Sequence, residues 1–382
     1  MAGMDSEAGE SGVSGTAGSS AMAGAGGAPQ PPVCKADTSC GSTCAACSAS
    51  TPRCKDLSTT SQCVECLSNA DCSDATPVCS PSNTCVARPS CSNLAATCGP
   101  NGNADCCASN VVTGVTTASF YRSYDGVTTG YTSTAYPAQV SDFRLDTYEV
   151  TVGRFRKFVA AYSQSMIADR AGANPNNASD TGWSTAWNTS LDATSGLLTA
   201  VLKCSTTYQT WTDAAGSAAA ESLPINCLDW FEAEAFCIWD GGRLPTEAEW
   251  NYAAAGGTQQ RIYPWGSAAP DCSYANFFNS AYCVAPPIGA VNRVGSESPK
   301  GDGLFGQADL AGNVVEWMQD WYVDPYINPC NNCADTTDSS SGRVVRGAGF
   351  TAPPSFLLSS LRNSYTDSSR NIDKGARCAR TL

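Results

Sequence analysis

The placement of cysteine constrains this chain more than any other feature. Fourteen of its 22 cysteines fall from Cys34 to Cys107, and the other eight fall from Cys204 to Cys378. Both counts are even. The first block is nearly one-fifth Cys and has almost no large apolar residues, so bridges must stand in for a core. Three pairs have C-x-x-C spacing: Cys44/Cys47, Cys63/Cys66 and Cys330/Cys333. Zinc ribbons share that spacing, but they need a reducing compartment and regularly paired knuckles. Disulfides are therefore the expectation for the block. Such a density stays oxidised outside the cytosol, which places the chain in an extracellular or cell-envelope setting.

The block carries a weak internal repeat, in which Cys47-Ser-Ala-Ser-Thr-Pro-Arg-Cys54 echoes Cys72-Ser-Asp-Ala-Thr-Pro-Val-Cys79. Before it, residues 1–33 are rich in Gly, Ala and Ser and end with Pro29, Pro31 and Pro32. They read as a flexible tether, here a tether to the cell envelope. They lack the basic and apolar regions of a signal peptide, so an upstream start to the exported chain is expected. Composition changes near residue 110, giving a tether over 1–33, a Cys-rich module over 34–110 and a folded domain over 111–382. Cys91, Cys98 and the vicinal Cys106 and Cys107 are expected to pin the module to that domain.

Acidic residues number 35 against 22 basic ones, a formal charge of −13. An acidic surface disfavours nucleic acid and anionic lipid as partners. No run of 18 apolar residues is present, so no membrane span is expected. The chain has no histidine. That removes Ser/His/Asp and Cys/His nucleophiles, a histidine base and histidine-held zinc or iron.

The spacing of Val152, Phe155, Val159 and Tyr162 predicts a helix starting near Thr151. Asp229 with Glu232, and Thr246 with Glu249, read as capping boxes. Their helices should stop at Gly241-Gly242 and Gly256-Gly257, with Trp250 facing inward. Phe143–Leu145 and Val344–Arg346 read as short strands. Few helices, long polar loops and nine Trp predict an α+β domain with little regular structure.

Several segments then occur in a telling order: Phe143-Arg-Leu-Asp-Thr-Tyr-Glu-Val-Thr151, Leu223-Pro-Ile-Asn-Cys-Leu-Asp-Trp230, Gly242-Arg-Leu-Pro-Thr-Glu-Ala-Glu-Trp250 and Tyr263-Pro-Trp-Gly266. Asp309-Leu-Ala-Gly-Asn-Val-Val-Glu-Trp317, Arg343-Val-Val-Arg-Gly347 and Gly375-Ala-Arg-Cys378 follow. Over residues 112–382 this order resembles the sulfatase-modifying-factor family, which includes the formylglycine-generating enzyme. The resemblance implies an α+β, C-type-lectin-like fold. It also implies a disulfide between Cys237 and Cys378.

Enzymes of that family oxidise a substrate cysteine with O₂, using two cysteines that bind copper(I). The resemblance puts that pair just after the R-V-x-x-G segment. Here Arg346–Ser360 contains no cysteine, so no catalytic residue is assigned and copper is not expected. A relocated copper site at Cys330/Cys333, with formylglycine-type oxidoreductase activity, is the alternative. A related branch of the family uses iron held by three histidines, and the lack of histidine excludes it.

Calcium is the cofactor the resemblance leaves in place. It implies one site from the Asp309 side chain, the carbonyls of Gly312 and Val314, and Glu316. The family has Asn where this chain has Asp309, a change that keeps an oxygen and adds charge. A second site would begin at Asn276 and the carbonyl of Phe277, with further ligands in the stretch Pro286–Val294.

The functional expectation is a non-catalytic, calcium-stabilised binding or structural module with a protein or glycan ligand. The loops at 163–222 and 324–342 carry Trp183, Trp187, Trp211, Tyr322 and Tyr326, residue types that suit binding surfaces. In a third reading the Cys-rich block does the work. The groove beneath residues 347–360 discriminates: Phe350, Pro353 and Phe356 could plug it, or a charged or aromatic lining could mark a ligand site.

Overall fold

The computed structural model describes residues 84–284 and 291–382, together with short strand segments between residues 39 and 79. The tether over 1–33 and the bonding of Cys44, Cys47, Cys63 and Cys66 lie outside the described residues. In the Cys-rich block β1 (Ser39–Cys40) pairs with β2 (Ala45–Ala46), β3 (Arg53–Leu57) with β4 (Thr60–Val64), and β5 (Val78–Cys79) with β6 (Cys85–Val86), all antiparallel. Cys91–Cys107 and Cys98–Cys106 are disulfides, so the vicinal cysteines reach back to two different partners.

The segment after β6 is built into the domain that follows. Arg88 meets Asp146, and the Ser90 amide donates to Asp240. Arg154 spans Asp146 and Asp240 at 2.8 and 2.7 Å, and Arg380 bonds the same two carboxylates. Three guanidinium groups thus neutralise two fully buried carboxylates. The positive charges hold the Asp146 carboxyl well below its usual range despite the opposing effect of burial.

Three small sheets make up the domain. β7 (Ser109–Val112), β10 (Phe143–Asp146) and β16 (Ala379–Thr381) form one, with β10 central. β8 (Val115–Tyr121), β9 (Pro137–Val140) and β12 (Cys330–Asn331) form another. The third runs in the order β14 (Asn363–Tyr365), β13 (Arg343–Arg346), β11 (Val315–Trp321), β15 (Lys374–Gly375), and only its β11/β15 pair is parallel.

Helix α1 (Val152–Ala161) begins at Thr151, whose side chain accepts the Arg154 amide. Short helices α2 (Ser195–Val201) and α3 (Ala218–Glu221) follow. Both expected capping boxes form, on α4 (Trp230–Trp239) and α5 (Glu247–Ala254). Gly241 and Gly256 take positive φ just past the two helices, the conformation glycine reaches without a Cβ penalty. Phe155, Phe158 and Phe236 pack where α1 meets α4. Trp250 on α5 is fully buried in the core formed with Leu145, Leu310 and Met318.

The loop aromatics pack against the domain, Tyr322 beneath the Arg362 guanidinium. Trp183 and Trp211 are buried, and Trp187 lies edge-on between Trp183 and Trp230. The Tyr326 hydroxyl is held by Glu247, Ser123 and Arg346. Flat, amphipathic rings pack down wherever the domain offers a partner for the N–H or O–H. Cys204–Cys227, Cys237–Cys378, Cys272–Cys283 and Cys330–Cys333 are bridged. Among the described residues no cysteine is free, and no helix is long and apolar enough to cross a membrane.

Candidate functional site

Two places carry the residues singled out from the sequence. One is the groove under the segment that follows β13. The other is a buried knot of carboxylates behind β11.

The groove has a volume of about 160 Å³. Gly347, Ala348, Gly349, Thr351, Ala352 and Pro353 form one wall, with Phe356 and Leu361 beyond them. Asn363 and Tyr365 on the edge strand β14, and Asp373 beside Gly349 and Thr351, also line it. Phe350 does not plug it, because its ring turns away and packs with Tyr208 and Tyr282. Phe356 lies at the edge of the groove, 41% exposed. Gly349 is required by the close approach of Asp373, whose Cβ would lie 2.7 Å from any Cβ placed there. Ala348 is held at φ 56°, a left-handed conformation that costs a non-glycine residue on the order of 1 kcal/mol.

The polar groups in the groove differ in availability. Arg346 lines it, but its guanidinium is spent on Glu247, Ser123, Tyr326 and the carbonyls of residues 359–361. Asp373 accepts from Thr351 Oγ1 through Oδ2 at 2.8 Å. Its Oδ1 takes no donor from the described residues, and no Lys or Arg among them forms an ion pair with it. Lys374, next in sequence, has its Nζ 3.7 Å from the centroid of the Tyr365 ring, which lines the groove, and donates to Ser369. Burial lowers that amine to about 8. The amides of Ala348 and Gly349 likewise bond no acceptor among the described residues.

Behind β11, Glu316 is fully buried and committed. Its carboxylate takes Arg377 Nε at 2.9 and 2.8 Å, Arg377 Nη2 at 2.7 Å and Trp250 Nε1 at 2.8 Å. Asp309, at φ 56°, accepts the Gly295 amide at 2.5 Å. Glu149 accepts from Val314 N and Asn313 Nδ2. Burial pushes the Glu149 carboxyl well above its usual range, with Asp309 and Glu316 adding to the effect. It does the same at Asp309, where Glu297 is the leading charged contributor. Val314 is buried just before β11, and the Gly312 amide donates to the Gly347 carbonyl.

The two expected calcium sites meet at one place. Asn276 donates to the Asn313 side chain, and its carbonyl accepts the Asn313 amide. The Phe277 carbonyl accepts the Cys283 amide. Of the stretch Pro286–Val294, where further ligands were expected, residues up to 290 lie outside the described residues, and the Asn292 amide donates to the Asn313 side chain. As they stand, no three acidic or cysteine side chains among the described residues converge closely enough to hold a metal. The side-chain donors are all oxygen, the kind a hard cation takes, but burial favours the neutral forms of Glu149 and Asp309. Glu316 is already matched by Arg377, whereas Asp309 forms no ion pair among the described residues.

Sequence reasoning missed Glu149, Glu297 and Arg377, and on the groove side Asn363, Tyr365 and Asp373. Arg377 stood inside the Gly375-Ala-Arg-Cys378 segment but was assigned no role there. Glu149 likewise stood inside the Phe143–Thr151 segment with no role assigned, and nothing in the local sequence singles out the other four, which are brought together only by the tertiary fold.

An α+β domain with this sheet order, stapled by disulfides and bearing a groove at the end of β13, defines the class of protein. A family described as the sulfatase-modifying factor enzyme 1-like domain matches residues 114–382, and the chain belongs to it. Similar proteins include the mouse formylglycine-generating enzyme, 32% identical over 170 residues, covering 41% of this chain and 44% of that protein. The hercynine oxygenase of Mycolicibacterium smegmatis is 33% identical over 174 residues, covering 41% and 37%. The matched segment thus spans less than half the length of these relatives. PvdO from Pseudomonas aeruginosa, a solved structure, has a TM-score of 0.46 and 21% identity, covering 72% of this chain and 94% of that one.

Proposed function

We propose that this protein is a non-catalytic member of its family, an exported binding module whose groove occupies the place where the resemblance puts the catalytic cysteine pair. One observation carries the reading: the groove wall Gly347–Phe356 has no cysteine, and every cysteine of residues 204–378 is in a disulfide. Copper(I) chemistry of the family kind needs thiolates, and this groove offers only oxygen and backbone donors. Cys330 and Cys333, the alternative pair, are bonded to each other. The density of disulfides supports an oxidising, exported setting. Calcium belongs to the same reading as a stabiliser held through Asp309, supported by the surplus of buried carboxylate there.

The test is incubation of the full chain with copper, O₂ and a cysteine-containing sulfatase peptide, followed by mass spectrometry. No aldehyde is expected. Aldehyde formed in proportion to this protein would overturn the reading.

A further inference from the structure

We infer that the groove is a pocket for a lysine side chain of an extended partner peptide. The inference rests on the binding-module reading and goes beyond it by naming the ligand chemistry. Size is the first argument. A cleft of about 160 Å³ is well below the roughly 300–1,000 Å³ of sites that enclose a drug-sized ligand. It is the right scale for one long side chain. Charge is the second. Asp373 is the carboxylate of the groove, and Arg346, the guanidinium there, is fully engaged elsewhere. An incoming cation therefore meets Asp373, whose cationic neighbour Lys374 forms no ion pair with it and is committed to Ser369 and the Tyr365 face.

Geometry distinguishes the two basic side chains. Thr351 holds Asp373 Oδ2, which leaves one carboxylate oxygen for the ligand. Arginine gains most where both oxygens accept its fork, whereas an ammonium is a point charge that one oxygen can receive. The apolar surfaces of Pro353, Phe356 and Leu361 suit the methylene stem, which buries itself while its head stays polar. The amides of Ala348 and Gly349, without acceptors among the described residues, would receive a peptide carbonyl beside the lysine. A buried amide with no partner is costly, so a ligand acceptor there is favoured. Next to them β14 is an edge strand three residues long with no strand among the described residues on its outer side, where an extended peptide can lie alongside.

The experiment is titration of the full chain with acetyl-Ala-Ala-Lys-Ala-Ala-amide, its Nε-acetyl-lysine analogue and its arginine analogue, read by NMR or calorimetry. The lysine peptide should bind at least about tenfold more tightly than the acetylated one. Asp373→Asn, which retains an acceptor for Thr351, should abolish that difference. Phe356→Ser should weaken both peptides alike, and the arginine peptide should fall between them. Equal binding of lysine and acetyl-lysine peptides, or an undiminished preference in Asp373→Asn, would overturn the inference. So would preferential binding of a neutral oligosaccharide in the same groove. Failure here with no aldehyde in the copper assay leaves the non-catalytic reading standing; aldehyde formation removes that reading whatever the peptides do.

Discussion

Arg377 grips Glu316 through two nitrogens, with both side chains fully buried. The same guanidinium reaches the carbonyls of Asp146, Thr147 and Ala308. It therefore ties the sheet containing β10 to the sheet containing β11. A pair this deep gains little net stability, because stripping water from two charges costs about what their attraction returns. What it provides is one defined arrangement, since any other leaves a buried charge or carbonyl unmatched.

Removing one partner should therefore be costly. Arg377→Met is expected to destabilise the domain by about 3–5 kcal/mol, the range for orphaning a buried charge. Arg377→Met with Glu316→Leu should cost less than the two single changes added together. Urea unfolding of the four proteins measures this. A loss under about 1 kcal/mol in Arg377→Met would mean that Glu316 finds another partner.

Cys237–Cys378 joins residues 141 apart. Closing so long a loop in the unfolded chain is worth about 4–5 kcal/mol in the chain-entropy picture. The double Ser variant should lose stability on that scale and melt many degrees lower. Non-reducing peptide mapping should recover the two half-peptides as one species. Recovery of Cys378 as a free thiol would refute the pairing.

Local signals in the sequence were strong where one residue acts on its near neighbours. Thr151, Asp229 and Thr246 cap the helices they were expected to cap, and the glycines past α4 and α5 end them. The order of segments gave the fold. Glu316 was harder to read, because Val315–Trp321 is buried on both faces and shows no clean alternation. A carboxylate expected as a calcium ligand proved to be a strand residue paired with Arg377. The loop tryptophans misled for a related reason: polar surroundings in sequence hide an aromatic's partner in space. Asp373 became visible as a groove residue only when β13, β14 and the turn at residues 347–353 were placed together.

Two buried carboxyls should make stability fall as pH rises toward neutrality. Burial raises Glu234 from 4.5 to about 7 and Asp320 from 3.8 to about 7. Between the unfolded and folded values the native state binds more protons, so stability declines across roughly pH 4–7. Each shift corresponds to at most about 3–4 kcal/mol. Asp146 and Glu247 act oppositely, because their lowered values remove stability only in more acidic solution. Melting temperature should thus drop between pH 5 and pH 7.5. The Glu234→Gln variant, which retains an acceptor for the Leu244 amide, should flatten that slope. An identical slope in wild type and variant would show that Glu234 does not titrate there.

Calcium should raise the melting temperature through Asp309. At this site Asp309, Glu149 and Glu297 are all shifted upward, with burial the largest cause in each. Binding a cation would favour their charged forms and stabilise the native state alone. At about a hundredfold excess over Kd the gain is roughly 2.7 kcal/mol, equivalent to several degrees for a domain of this size. Magnesium should substitute poorly, because its small octahedral shell demands a tighter ligand set than this loop provides. Because Glu316 is already matched by Arg377, Glu316→Gln should lower the baseline by breaking that pair yet retain much of the calcium-induced rise. Asp309→Asn should lose the rise. The measurement is the difference in melting temperature between chelator and millimolar calcium for the three proteins. No difference in the wild type would eliminate the site, and a rise in Asp309→Asn equal to that of the wild type would eliminate Asp309 as its ligand.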